Sequence, residues 1–152
     1  MPEAAGAPDR SPQTVISFDF GLARIGVAVG NSVSRNAQPL AMITAASDPL
    51  RFEKIARIIA EWQPQRLVVG RPTHPDGAAH EMTLRCERFA RRLNGRFGLP
   101  VTTIDERYSS VAARAAIRSG TGGADRADDA EAAAIILRQY WSELATRPQP
   151  TA

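Results

Sequence analysis

The chain reads as an α/β domain built on a mixed sheet, with antiparallel strands at its start and parallel ones after them. Three observations predict this. Two short apolar runs rich in β-branched residues, Val15–Phe18 and Ile25–Val29, flank a glycine turn at Gly21. A third run near Leu40–Thr44 completes an opening group of strands. From there helical and strand patterns alternate, which calls for crossovers of the right-handed βαβ kind onto parallel strands. At 152 residues the chain is of single-domain size.

A helix is expected over Pro49–Trp62, with Asp48 as its N-cap and Pro49 at its first position. Arg66–Gly70 is a buried strand, and RPTHPDGAAH after it is a loop with Pro-Asp-Gly as turn signal. Glu81–Phe97 is a long amphipathic helix on which Arg85, Arg88, Arg92 and Arg96 recur at helical spacing. That stripe reads as a solvated face or as a track for nucleic acid. Leu99–Ile104 is the next strand and runs into Asp105-Glu106-Arg107. A short helix over Ser110–Ser119 and a loop over Gly120–Asp125 precede the last helix, about Asp128–Leu144. Residues 1–13 and 147–152 are polar and proline-rich and read as disordered tails around a domain spanning 14–146.

Composition narrows the function. No stretch approaches the roughly 20 apolar residues of a membrane span, and the N-terminus lacks a signal peptide's apolar core, so a cytoplasmic location is expected. Cys86 is the only cysteine, which excludes internal disulfides and cysteine-based zinc sites. It reads as a buried structural thiol. His74 and His80 have no ligand spacing and read as surface or loop residues. The net charge is +3, the pI near 9.7, and eighteen of the nineteen basic residues are Arg. Arginine suits bidentate phosphate contacts, so a nucleic-acid partner is favoured.

The string DFGLAR around Asp19 imitates the magnesium-binding segment of protein kinases. Only eighteen residues precede Asp19, and the sole lysine, Lys54, follows it, so the glycine-rich loop and strand lysine of a kinase are missing. The acids point elsewhere. Asp19, Asp105 and Glu106 lie at strand ends, where ligand sites gather in such sheets. Asp129 leads the apolar face formed by Ala132, Ala133, Ile136 and Tyr140. Singly, each acid has a plain explanation: a turn residue at Asp19, an ion pair with Arg107, a favourable charge at a helix start for Asp129. Together, acids from two strand ends and a helix start imply a shared pocket. Carboxylates so crowded stay ionised only around a cation, and Mg²⁺ or Mn²⁺ is the hard ion that fits oxygen ligands. Two such ions roughly 4 Å apart can activate water and clamp a phosphate. That is the layout of a phosphodiesterase, a hydrolase.

FDFGLARIGVAVG, LVVGRPTHPDG, VTTIDERYSS and DDAEAAAIILRQYW occur in an order and at spacings that resemble the YqgF (RuvX) family. These are pre-16S rRNA nucleases related to Holliday-junction resolvases. The resemblance runs from about Val15 to Tyr140. It implies an RNase H-like fold, with Asp19, Glu106 and Asp129 as catalytic metal ligands. Asp105 would support them, and Arg24 and Arg107, which flank acids, would contact phosphate. Asp128 stands where the family pattern is apolar, which makes Asp129 the ligand of the pair. Tyr108-Ser109-Ser110 replaces the usual Leu-Thr-Thr but keeps the hydroxyls. Arg71 and His74 depart from a more apolar loop, where Gly70, Pro72 and Gly77 shape the chain.

The expected activity is metal-dependent cleavage of nucleic acid, with precursor 16S rRNA in ribosome biogenesis favoured and branched DNA as the alternative. A non-catalytic RNA-binding module of the same fold is a further alternative. An ATP-binding phosphotransferase of the actin and sugar-kinase type also opens on an Asp-Gly hairpin, but needs two such domains where this chain holds one.

Overall fold

The computed structural model describes residues 12–44, 46–71 and 81–105, and the backbone of 125–146 with the side chains of 130–145. Among the described residues, five strands and three helices follow one another as β1 (Thr14–Phe20), β2 (Arg24–Asn31), β3 (Gln38–Thr44), α1 (Asp48–Trp62), β4 (Arg66–Arg71), α2 (Glu81–Phe97), β5 (Val101–Asp105) and α3 (Asp125–Thr146). They form one sheet in the order β3-β2-β1-β4-β5. The first three strands pair antiparallel, and β1, β4 and β5 pair parallel. This is the mixed sheet that the strand pattern predicts. The segments read as a loop after β4 and as a short helix and loop after β5 lie outside the described residues.

Each strand presents two faces, because alternate side chains point to opposite sides. On one face Ile16, Phe18, Val27, Leu67 and Val69 meet Phe52 and Ile55 of α1 and Phe89 and Leu93 of α2. Cys86 is buried in this cluster, as its place among apolar neighbours predicts. On the other face Val15, Val68 and Ile104 meet Ile136, Leu137, Tyr140 and Trp141 of α3. Ala28 of β2 faces Ala133 and Ala134 of the same helix. Small side chains on both partners let α3 lie close to β2.

Local chemistry accounts for the ends. α1 is capped by Ser47, whose side chain accepts from the Leu50 N–H, and not by Asp48. Serine and aspartate are both good caps, and here Asp48 is drawn into the helix by Arg51 and Arg92, 3.3 and 3.1 Å away. Proline in the first turn costs nothing, since that N–H would be unpaired. α2 has the bounds its periodicity predicts, and Gly98, at φ 67°, ends it with an N–H bond to the Asn94 carbonyl. β3 begins at Gln38, two residues earlier than its apolar run. It is an edge strand, where Pro39 can sit without breaking a ladder. α3 begins at Asp125, three residues before the predicted start, because Arg126 and Ala127 are good helix formers.

Candidate active site

Gly21 makes the β1–β2 turn tight: a Cβ there would lie 2.6 Å from the Arg24 carbonyl oxygen. That turn leaves Asp19 next to last in β1, at the strand's carboxyl end, and only 7% exposed. Strand alternation fixes its side. Ile16 and Phe18 belong to the core beneath α1 and α2, whereas Val15 packs against α3 and the Ser17 hydroxyl donates to the Ala133 carbonyl at 2.7 Å. Asp19 therefore faces the α3 side.

The contacts along β1 also orient the helix. Val15 shares a cluster with Ile136, Leu137 and Tyr140, and Ser17 meets Ala133, so α3 runs opposite to β1. Asp129 precedes Ala133 by one helical turn, the same direction in which Asp19 follows Ser17. The Asp129 side chain lies outside the described residues. Across the sheet Asp19 pairs with Gly26 of β2. Arg24, two residues before Gly26, occupies the same face as a diagonal neighbour of Asp19.

The parallel register aligns Phe18 with Val69 and Thr103, so Asp19 stands level with Gly70 and Ile104. Asp105 ends β5 in the following row, paired with Arg71. Ile104 points toward α3, so Asp105 and Arg71 point toward α2, where Arg71 forms an ion pair with Glu87. The Asp105 side chain is thus on the sheet face opposite Asp19. Its backbone, however, is held on the α3 side: Gln139 Nε2 donates to the Asp105 carbonyl at 2.8 Å and to Glu143 at 3.2 Å. This contact ties the end of β5, immediately before Glu106, to the same helix that carries Asp129. Glu106, Arg107 and His74 lie outside the described residues.

Ser17 and Gln139 are the two residues that sequence reasoning misses. A serine inside the apolar run TVISF was a visible signal. Gln139 lies off the apolar stripe of its helix, and nothing in its spacing marks it.

Among the described residues no three His, Cys, Asp or Glu side chains cluster as a metal site. The donor present is one buried carboxylate, a hard oxygen ligand of the kind that suits Mg²⁺ or Mn²⁺ rather than a softer ion. No described helix is long and apolar enough to cross a membrane. The arginine stripe of α2 is not simply solvated: Arg92 and Arg96 stack on the Phe52 ring at 4.6 and 4.4 Å, and Arg85 pairs with Glu81 at 2.7 Å.

Known proteins share both the sequence and this architecture. A protein named "Putative pre-16S rRNA nuclease" from Paraburkholderia phytofirmans is 59% identical over 131 residues, covering 86% of this chain and 89% of that protein. One of the same name from Burkholderia mallei is 55% identical over the same length and coverage. Two solved structures share the fold at low identity. RuvC of T. thermophilus, in complex with a Holliday junction substrate, matches with a TM-score of 0.52 at 19% identity, over 88% of this chain and 96% of that one. The Fowlpox virus resolvase, in complex with Holliday junction DNA, matches with a TM-score of 0.56 at 12% identity, over 86% and 98%. The mixed sheet flanked by helices is accordingly of the RNase H-like type. The model of the family described as "RuvX: Holliday junction resolvase" matches residues 13–143, and the chain belongs to that family.

Proposed function

We propose that this protein is a divalent-metal-dependent nuclease that hydrolyses phosphodiester bonds, with precursor 16S rRNA as substrate and ribosome biogenesis in the cytoplasm as its setting. The observation that carries the reading is a buried carboxylate, Asp19, at the carboxyl end of β1 in a chain 59% identical to a protein named for this activity. Asp19, Glu106 and Asp129 would hold Mg²⁺ or Mn²⁺. When bound, such ions lower the pKa of a coordinated water and neutralise charge on the phosphate.

The chain's own groups divide the remaining work. Asp19 is fixed by a strand paired on both sides, so its carboxylate is presented without cost at the moment of reaction. Ser17 ties α3 to β1 and Gln139 ties the end of β5 to α3, the elements from which Asp129 and Glu106 would reach the ion. Arg24 offers a guanidinium to a phosphate on the Asp19 face, and Arg107 offers a second from beyond β5. Asp105 supports the site through its backbone, because its side chain points away from Asp19.

The test is cleavage of precursor 16S rRNA and of a four-way DNA junction in parallel, with Mg²⁺ and Mn²⁺. Asp19→Asn should lower cleavage by at least about a thousandfold while circular dichroism and the melting curve stay native. Full activity in that variant overturns the reading. The description of the matched family favours one second reading, resolution of branched DNA. Preferential cutting of the junction would select it, and RNA binding without cleavage under either ion would select a non-catalytic module.

A further inference from the structure

On the sheet face opposite Asp19, a cavity of about 150 Å³ opens between α1, α2 and the β1–β2 turn. This is smaller than the roughly 300–1,000 Å³ of pockets that enclose a drug-sized molecule; it suits one flat ring with its substituents outside. Its floor is apolar and aromatic, from Phe20, Ile25, Phe52 and Phe89, and Leu22 stands at the mouth 57% exposed. Its walls carry four guanidiniums, Arg51, Arg85, Arg88 and Arg92.

Two carboxylates offset part of this charge. Asp48 pairs with Arg51 and Arg92, and Glu81 with Arg85. Arg92, followed by Arg51 and Arg88, holds the Asp48 carboxyl below its ordinary range, so it is ionised at neutral pH. Two guanidiniums remain in excess. Arg88 is exposed and makes no hydrogen bond or ion pair among the described residues. Arg51 keeps a buried Nε–H with no acceptor among the described residues. An aromatic floor under a cationic rim matches a group that is a flat ring at one end and an anion at the other. Stacking on such platforms with arginine on the phosphate is how single strands are gripped.

The location adds a constraint. Phe20 follows Asp19 directly, and the Arg51 Nη1–H bonds the Gly21 carbonyl at 3.0 Å, so cavity and acid share one turn. We propose that this cavity binds one nucleoside monophosphate unit, its base against the half-buried Phe20 and the exposed Leu22 and its phosphate on Arg88. The unit would belong to the strand being cut, passing round the end of the sheet from the Asp19 face. Placement in a substrate strand rests on the nuclease reading above; affinity of the cavity for a nucleotide does not.

The experiment is a titration of the full chain, followed by amide NMR, with 5′-AMP, adenosine, inorganic phosphate and a 5′-phosphorylated single-stranded pentanucleotide. AMP should move the amides of Leu22, Ile25, Arg51 and Arg88, while adenosine and phosphate each bind at least tenfold more weakly. Arg88→Ala, a surface change, should weaken AMP about tenfold. Asp19→Asn should leave AMP binding as it was. A pentanucleotide that binds more tightly than AMP at the same amides identifies a strand as the source, and equal binding identifies a free nucleotide. Shifts confined to other residues, or equal AMP affinity in Arg88→Ala, overturn the proposal. No cleavage of RNA or junction DNA by the unaltered chain under either ion, while AMP still occupies the cavity, removes the nuclease reading alone.

Discussion

The two faces of the sheet are built from different materials. Beneath α1 and α2, large side chains interlock: Phe89 touches the rings of Phe18, Phe20 and Phe52 at centroid separations of 5.7, 4.7 and 5.9 Å. Beneath α3, Ala28 meets Ala133 and Ala134, and a serine hydroxyl reaches the helix backbone. The first face gains stability from buried apolar area. The second gives up some of that area for a short, fixed distance between helix and strand. The proposed site, drawn from strand ends and a helix, would need that distance held, and Asp19 lies on the alanine-paved face.

This contrast can be broken from either side. Phe89→Ala should have the largest effect on stability, a loss of about 3–5 kcal/mol from the four-ring cluster, read by urea denaturation. Ala133→Leu should cost about 1–3 kcal/mol by overpacking, less than Phe89→Ala. It should nevertheless lower cleavage more, because it lifts α3 from β1. Equal losses of activity in the two variants would mean the close approach has no special role. Ser17→Ala sharpens the point, removing one hydrogen bond worth about 1 kcal/mol with no change of volume that matters.

The smallest effect belongs to Asp48, outside both cores. Its folded-state pKa is lowered, chiefly by the hydrogen bond from Arg92, so its contribution is present above the ordinary value of 3.8 and lost as the pH falls through the lowered one. Asp48 is half exposed, and solvent screening holds the effect to about 0.5 kcal/mol or less. Asp48→Asn should therefore differ from the parent at pH 7 in low salt, with the difference shrinking as the pH falls below 3.8 or as salt is raised.

Periodicity made α2 readable to the residue, since seventeen residues with one apolar stripe leave little choice of ends. The mixed character of the sheet was equally legible, because strands joined by a tight turn pair antiparallel and strands joined through a helix pair parallel. Asp19 stood out as a charge at the end of such a strand. What the sequence hid were contacts that depend on the third dimension. Asp48 and Ser47 are both good caps, and only the arrival of Arg92 from α2 decides between them. The opposite facing of Asp105 and Asp19 follows from register between strands far apart in the chain. Gln139 acts on a carbonyl thirty-four residues away, which no local pattern encodes.

The bond from Ser17 to Ala133 joins residues 116 positions apart, and Trp141 reaches back to the Asn36 carbonyl across 105. A ribosome emits β1 to β3 long before α3, and chains begin to fold from the end made first. The alanine-paved face must then wait, bare, through the synthesis of α1, β4, α2 and β5. Until the last helix emerges, the face that carries Asp19 lacks the α3 side chains that cover it in the finished fold, and in the proposed site Asp129 would be the last acid to arrive. An enzyme that cuts nucleic acid would thereby stay inert while still attached to the machine that makes it.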